Sequence, residues 1–159
     1  MKRVYAVERH CIACKLCELA CITEHSQSRD MIRAMRHERP RALPRIHVQE
    51  RRPLSFALQC RHCSEPLCVH SCLTQALQQQ EDGSISYDPQ YCIGCWTCIL
   101  SCPYGAITRD VREKTKLIVK CDLCEGRDMP ACVEICPNEA LVYGDEEEYE
   151  AEYVEAVEK

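Results

Sequence analysis

Sixteen cysteines stand in four groups of four with none left over: Cys11, Cys14, Cys17 and Cys21; Cys60, Cys63, Cys68 and Cys72; Cys92, Cys95, Cys98 and Cys102; Cys121, Cys124, Cys132 and Cys136. The first and third groups read C-x2-C-x2-C-x3-C, the second widens its middle gap to four residues, and the fourth widens it to seven. Cysteine at about a tenth of a 159-residue chain implies disulfides if the chain is secreted and metal if it is intracellular. The opening Met1-Lys2-Arg3-Val4-Tyr5-Ala6-Val7-Glu8 lacks the apolar core of a secretory leader. No apolar run exceeds four residues, far short of the roughly 20 that span a bilayer. The expectation is a cytoplasmic, metal-binding chain without a membrane span.

The spacing selects the metal. Tetrahedral zinc accepts four cysteines, but zinc sites separate two C-x2-C knuckles by a longer span and do not repeat C-x2-C-x2-C-x3-C. Disulfides need no such period, and a bridge across two residues is strained. The run is instead the bacterial-ferredoxin spacing for cubane iron–sulfur clusters. Three thiolates on one tight loop grip three corners of a cluster. The fourth follows three residues later, is carried away from that loop, and ligates the other cluster of a pair. Groups of this kind work in pairs, so four groups imply four [4Fe–4S] clusters. All sixteen positions are filled, so no group is reduced to a three-iron centre.

The repeat extends beyond the cysteines. The last cysteine of the second, third and fourth groups is followed by Leu73-Thr74-Gln75-Ala76-Leu77, Pro103-Tyr104-Gly105-Ala106-Ile107 and Pro137-Asn138-Glu139-Ala140-Leu141, which share an Ala-aliphatic pair four and five residues on. Short β-branched or aromatic stretches precede groups (Val4–Val7, Ile85–Tyr87, Leu117–Val119) or follow them (Ala106–Thr108, Leu141–Tyr143). Each unit therefore reads as strand, ligand loop, a helical turn or two, then strand, an α+β chain. The first unit departs: Ile22-Thr23-Glu24-His25-Ser26 follows Cys21 without the Ala-aliphatic pair, and 38 residues separate Cys21 from Cys60.

Within that insert, residues 29–52 hold eight arginines against three acids, with Ile46-His47-Val48 alternating like a strand. The arginines read as a solvated face with salt bridges, or more sharply as a partner-docking surface or as cationic compensation for buried negative clusters. Residues 145–159 hold eight acids and one base, with Tyr149, Tyr153 and Val157 at helical spacing. Such a stripe belongs to a frayed, solvated tail or to a partner-binding helix. Lys15 and Arg61 read as surface charges or as local modulators of potential, and His62 and Trp96 as shielding rather than ligands.

The net charge of −5 does not fit a nucleic-acid binder, which needs a basic surface. No G-x-G-x-x-G or phosphate loop is present for a nucleotide. No cysteine remains for a separate catalytic metal, and a cluster held by four thiolates has no open position for substrate. The chain reads as a relay of single electrons rather than an enzyme. With roughly one cluster per forty residues, the clusters are the core, and the apo chain is expected to be largely unfolded.

The four groups, with middle gaps of 2, 4, 2 and 7, resemble the four-cluster electron-transfer subunits of carbon monoxide dehydrogenase, formate dehydrogenase, formate hydrogenlyase and dimethyl sulfoxide reductase. Phe56-Ala57-Leu58-Gln59-Cys60-Arg61-His62-Cys63 and Cys92-Ile93-Gly94-Cys95-Trp96-Thr97-Cys98 carry the resemblance, which covers about Val4 to Tyr143. The tryptophan that replaces the third cysteine of the third group in the nitrate reductase branch is not found here, where Cys98 stands. The small size is most similar to the carbon monoxide dehydrogenase type, also found beside tungsten aldehyde oxidoreductases and NAD-linked flavoproteins.

The resemblance implies a nested pairing. Cys11, Cys14 and Cys17 would join Cys136, and Cys21 would join Cys121, Cys124 and Cys132. Cys60, Cys63 and Cys68 would join Cys102, and Cys72 would join Cys92, Cys95 and Cys98. An outer ferredoxin-like module (1–28 plus 112–144) would then enclose an inner one (54–111), with the Arg-rich insert at 29–53 and the acidic tail at 145–159. The implied partners are a catalytic oxidoreductase subunit and a further electron-transfer protein or flavoprotein; a freely diffusing polyferredoxin is the alternative.

Overall fold

The computed structural model of the chain describes residues 1–51, 53–112 and 116–154. In chain order the first half contains β1 (Arg3–Ala6), α1 (Leu16–Glu24), α2 (Met31–Arg36), β2 (Ile46–Arg51), β3 (Leu54–Gln59), α3 (Leu67–His70) and β4 (Leu77–Gln79). The second half contains β5 (Ile85–Tyr87), α4 (Thr97–Ser101), β6 (Thr108–Arg109), β7 (Ile118–Val119), α5 (Ala131–Glu134), β8 (Leu141–Gly144) and α6 (Glu146–Tyr149). The strands form antiparallel two-stranded ribbons: β1 with β8, β2 with β3, β4 with β5, and β6 with β7. The β1–β8 ribbon joins the two extremes of the sequence, pairing Val4 with Tyr143 and Ala6 with Leu141.

Strands this short do not stand alone in water, and their inward side chains close on cysteines. Val4, Ile46, Ala57 and Leu141 pack with Cys17, Cys21 and Cys132. Leu77, Ile85, Ile107 and Ile118 pack with Cys68 and Cys98. A smaller cluster brings Cys60, Cys102 and Cys121 together around Ala106 and Leu123. The helices pack in the same two camps, α1 against α5 and α3 against α4.

A strand lies before each ligand group, as the strand–loop reading expects, although no apolar stretch in the sequence marks β3 before Cys60. The reason lies in its inverted pattern. Ser55, Ala57 and Gln59 face inward while Leu54 is exposed. The inward polar groups are bonded, Ser55 Oγ donating to the Cys11 carbonyl at 2.7 Å and Gln59 Nε2 to that of Val4 at 2.8 Å. These bonds fasten β3 to β1 and the first ligand loop.

The tail stripe is used within the chain. Tyr149 stacks on Tyr5 at 4.4 Å between centroids, Tyr153 stacks on Tyr149 at 5.6 Å, and the Tyr149 hydroxyl donates to the Ala6 carbonyl. Aromatic pairs of this kind add about 0.5–1.5 kcal/mol beyond their buried area. The acidic start of the tail is thus a strap over β1 rather than a frayed end; Val157 lies outside the described residues.

Leu77 is 1% exposed and opens β4 beside Ile85 and Ile107. Leu77→Ala is expected to cost about 2–5 kcal/mol, read as a lowered midpoint in anaerobic denaturant unfolding. A change under about 0.5 kcal/mol, the scale of a surface substitution, would mean that this cluster carries no stability.

Candidate metal centres

The four ligand loops share one construction. The third cysteine (Cys17, Cys68, Cys98, Cys132) is always the second residue of its helix. The residue before the second cysteine is always left-handed: Ala13 at φ 55°, His62 at 45°, Gly94 at 69° and Leu123 at 59°. One left-handed residue inside a tight turn bends successive N–H groups into a concavity that favours anions. The groups differ only in how the helix is entered. In the first and third groups, left-handed Lys15 and Trp96 cap it. In the second and fourth, the widened gap ends in Pro66 or Pro130 just before the first helical residue, a place where the missing N–H costs nothing.

The segment after the fourth cysteine explains the Ala-aliphatic repeat. Three residues beyond Cys72, Cys102 and Cys136 the chain is again left-handed, at Gln75, Gly105 and Glu139. That turn buries Ala76, Ala106 and Ala140 together with Leu77, Ile107 and Leu141. It also aims N–H groups back at the sulfur: Ala140 N–H donates to Cys136 Sγ at 3.2 Å. Burial works against charge at Cys72, yet the N–H groups of Leu77, Thr74 and Ala76 outweigh it and pull the thiol pKa down.

The first group lacks this turn because α1 runs through Cys21 to Glu24. A substitute comes from the insert, where the Arg45 backbone N–H donates to Cys21 Sγ at 3.2 Å. The Arg45 side chain pairs with Asp122, which also accepts from His25 Nε2 at 3.1 Å. Burial opposes a charged ring at His25, but hydrogen bonds to Asp122 and Cys21 prevail and hold its pKa up at about 9. At least one insert arginine thus serves a ligand loop directly. Other arginines stay on the surface: Arg29 reaches Glu24 at 3.7 Å and is 73% exposed. Arg45, Asp122 and His25 were not singled out from the sequence, and no local spacing flags them, since they lie 20 to 97 residues apart.

None of the sixteen cysteines is joined in a disulfide. Burial pushes Cys17 and Cys121 up to about 12 and Cys98 up to about 11, and raises Cys60, Cys68, Cys124 and Cys132. The thiols close enough to add to these shifts identify neighbours. Cys17 feels Cys14 and Cys136; Cys98 feels Cys72, Cys92 and Cys95. Cys60 feels Cys63 and Cys102; Cys132 feels Cys121, Cys21, Cys124 and also Cys17. Two of these gatherings line apolar cavities. Cys11, Cys14, Cys17 and Cys136 face one with Val48 and Ala57; Cys72, Cys92, Cys95 and Cys98 face another with Leu77 and Ile118.

This donor chemistry fits iron–sulfur clusters. Thiolates are not stable in such surroundings without a cation, and metal binding displaces their protons. Three buried ring nitrogens beside the ligands, His10 Nδ1, His62 Nε2 and Trp96 Nε1, find no hydrogen-bond partner among the described residues. Hydrogen bonds to cluster and thiolate sulfur are a recognised means of setting potential. Of the charges expected near the loops, Lys15 is exposed and Arg61 lies over the Tyr104 ring at 4.2 Å. Among the described residues, no helix is long and apolar enough to cross a membrane.

Residues 52–146 match the family described as 4Fe-4S dicluster domain. An iron-sulfur protein of Rhodospirillum rubrum is 37% identical over 158 residues, covering 87% of this chain and 79% of that protein. Electron transport protein HydN of Escherichia coli (strain K12) is 34% identical over 154 residues, covering 88% of this chain and 86% of that one. Among solved structures, a chain of the BamBC active site complex of benzoyl coenzyme A reductase superposes with a TM-score of 0.49 at 21% identity, covering 99% of this chain and 87% of that chain.

Gly94 tests the loop construction. A Cβ on this residue meets the Lys116 side chain and lies 2.5 Å from the Lys116 carbonyl oxygen, in a left-handed conformation that side chains resist. Gly94→Ala is expected to lose part of the bound iron, whereas Ala13→Gly at the matching position keeps all of it. Metal analysis of anaerobically purified protein checks this, and equal iron in both variants contradicts it.

Proposed function

The chain belongs to the 4Fe-4S dicluster family, and on that premise we propose that it relays single electrons through four [4Fe–4S] clusters between a catalytic oxidoreductase subunit and an acceptor protein. The proposed ligand sets are nested: Cys11, Cys14, Cys17 with Cys136; Cys21 with Cys121, Cys124, Cys132; Cys60, Cys63, Cys68 with Cys102; and Cys72 with Cys92, Cys95, Cys98. When bound, such clusters supply reversible one-electron steps without bond making or proton transfer.

One observation carries the reading. Only Cys14 and Cys95 are exposed among the sixteen thiols, and each belongs to a set at one end of the proposed line. Each end set thus brings one thiol to the surface where a partner must come near, and the sets between hold only buried or half-buried ones. Pairing of α1 with α5 and of α3 with α4 supports two halves, 1–28 plus 112–144 around 54–111. The contact of Cys60 and Cys102 with Cys121 gives the halves a meeting point. The N–H groups of the ligand loops and of the Ala-aliphatic turns hold the thiolates in fixed orientation, and the apolar residues around them exclude water.

The partners proposed are a catalytic subunit of carbon monoxide dehydrogenase, tungsten aldehyde oxidoreductase or formate dehydrogenase type at one end and an electron-transfer protein or flavoprotein at the other. The name of the HydN relative, an electron transport protein, agrees with this role, and a cytoplasmic setting is proposed with it.

Anaerobic preparations are expected to hold about sixteen iron and sixteen acid-labile sulfides per chain, and Cys95→Ser to alter one of four reducible paramagnetic centres while sparing three. Zinc in place of iron, or a colourless protein, would sink the proposal.

A further inference from the structure

Lys120 is the residue before Cys121 and is only 5% exposed. Its Nζ donates to the Ile85 carbonyl and, at 2.6 Å, to the Cys121 carbonyl. Among the described residues no carboxylate pairs with it. A buried ammonium satisfied by carbonyls alone is costly, so its position calls for negative charge nearby of another kind. That charge is at hand. Lys120 immediately precedes Cys121, and Cys121 packs with Cys60 and Cys102 where the two proposed halves meet.

The same residue that receives Lys120 fixes a second group. Ile85 N–H donates to His62 Nδ1 at 2.9 Å. His62 is 1% exposed and sits inside the Cys60–Cys63 loop. One residue of β5 therefore ties the second ligand loop to the residue that opens the fourth. The arrangement spans the two proposed halves at the point where an electron must cross.

We propose that Lys120 is the potential-setting residue of the junction: its buried charge raises the reduction potentials of the two middle centres, those built on Cys60 and on Cys121, and so favours the electron's passage between halves. The inference rests on the proposed ligand sets. A cluster held by four thiolates carries about −2 when oxidised and gains one more negative charge on reduction. A fixed positive charge in a dry site lowers the energy of the reduced form more than that of the oxidised form. Each crossing oxidises one middle centre and reduces the other by one electron, and no proton moves. Because the charge adjoins both, it raises both potentials without opening a large step between them.

The test is an anaerobic redox titration followed by electron paramagnetic resonance on the full chain, with iron and sulfide measured on every sample. Lys120→Gln keeps a donor for the two carbonyls and removes the charge; Lys120→Met refills the space without either; Lys120→Arg keeps the charge. With iron content intact, the neutral variants are expected to shift two of four centres to lower potential, leave the other two in place, and behave alike, while Lys120→Arg stays near the parent. Four unmoved centres, four moved equally, or an Arg variant moved as far as the Gln variant would each overturn the inference. So would failure of both neutral variants to bind iron when Lys120→Arg binds it in full, which assigns Lys120 to assembly. A parent chain without cubanes defeats the proposed function itself, a different result read from the metal analysis.

Discussion

Desolvation of sulfur is the constraint on which this structure rests. Seven cysteines are raised in pKa, with burial the leading cause at every one. A chain of 159 residues that puts thiolates inside must supply compensating positive charge within a few ångströms of each. Bound iron would supply positive charge, and the backbone adds its N–H groups. Left-handed residues before each second cysteine, and again after three of the four fourth cysteines, turn N–H groups toward sulfur. These positions are not confined to glycine. Alanine, histidine, leucine, glutamine and glutamate occupy them at a cost of order 1–3 kcal/mol each, which persists only where the surroundings over-determine it. The binding of metal is then inseparable from folding, since the apolar clusters that hold the strands are themselves built on cysteine side chains.

Much of this was legible because the ligand pattern is local. A residue spacing fixes a loop, a loop fixes where the helix starts, and the Ala-aliphatic pair marks the turn that follows. Ile85–Tyr87 and Leu141–Gly144 form where short apolar runs announce them. What escaped was non-local or inverted. β3 turns Ser55 and Gln59 inward, against the rule that the apolar face is the buried one, because those polar groups bond to backbone far away in sequence. The service of Arg45 to Cys21 and the burial of Lys120 depend on chain segments 24 and 35 residues distant. No periodicity records such contacts. The tail stripe was visible, but the face that receives it, Tyr5, is 144 residues away.

The irregular first unit follows from one length. α1 has nine residues where the other ligand helices have four or five. Continuing the helix through Cys21 removes the turn that would have offered N–H groups to its sulfur. The insert restores one through Arg45 N–H, and its side chain then clasps Asp122 in the fourth ligand loop. An arginine-rich segment that composition alone presents as a surface is, at this residue, part of the wall of a site. The cation–carboxylate contact also spans the first and fourth groups, the two that the proposed pairing assigns to one half.

Charge along the proposed line is handled differently at its ends and its middle. Cys14 and Cys95 open to solvent, where water screens added negative charge and where a partner can come close enough to exchange an electron. Water has no such access to Cys121 or Cys60. An added electron there would meet an unscreened site and would be the highest point of the path unless something fixed replaced the solvent. In the proposed arrangement Lys120 would do so, its Nζ held by the carbonyls of Ile85 and of Cys121, which packs against Cys60. A flexible surface cation would be screened and would reorganise with each transfer. A buried one does neither, so in the proposed nested arrangement the driving force for crossing between halves would stay independent of the medium that each partner brings to its own end.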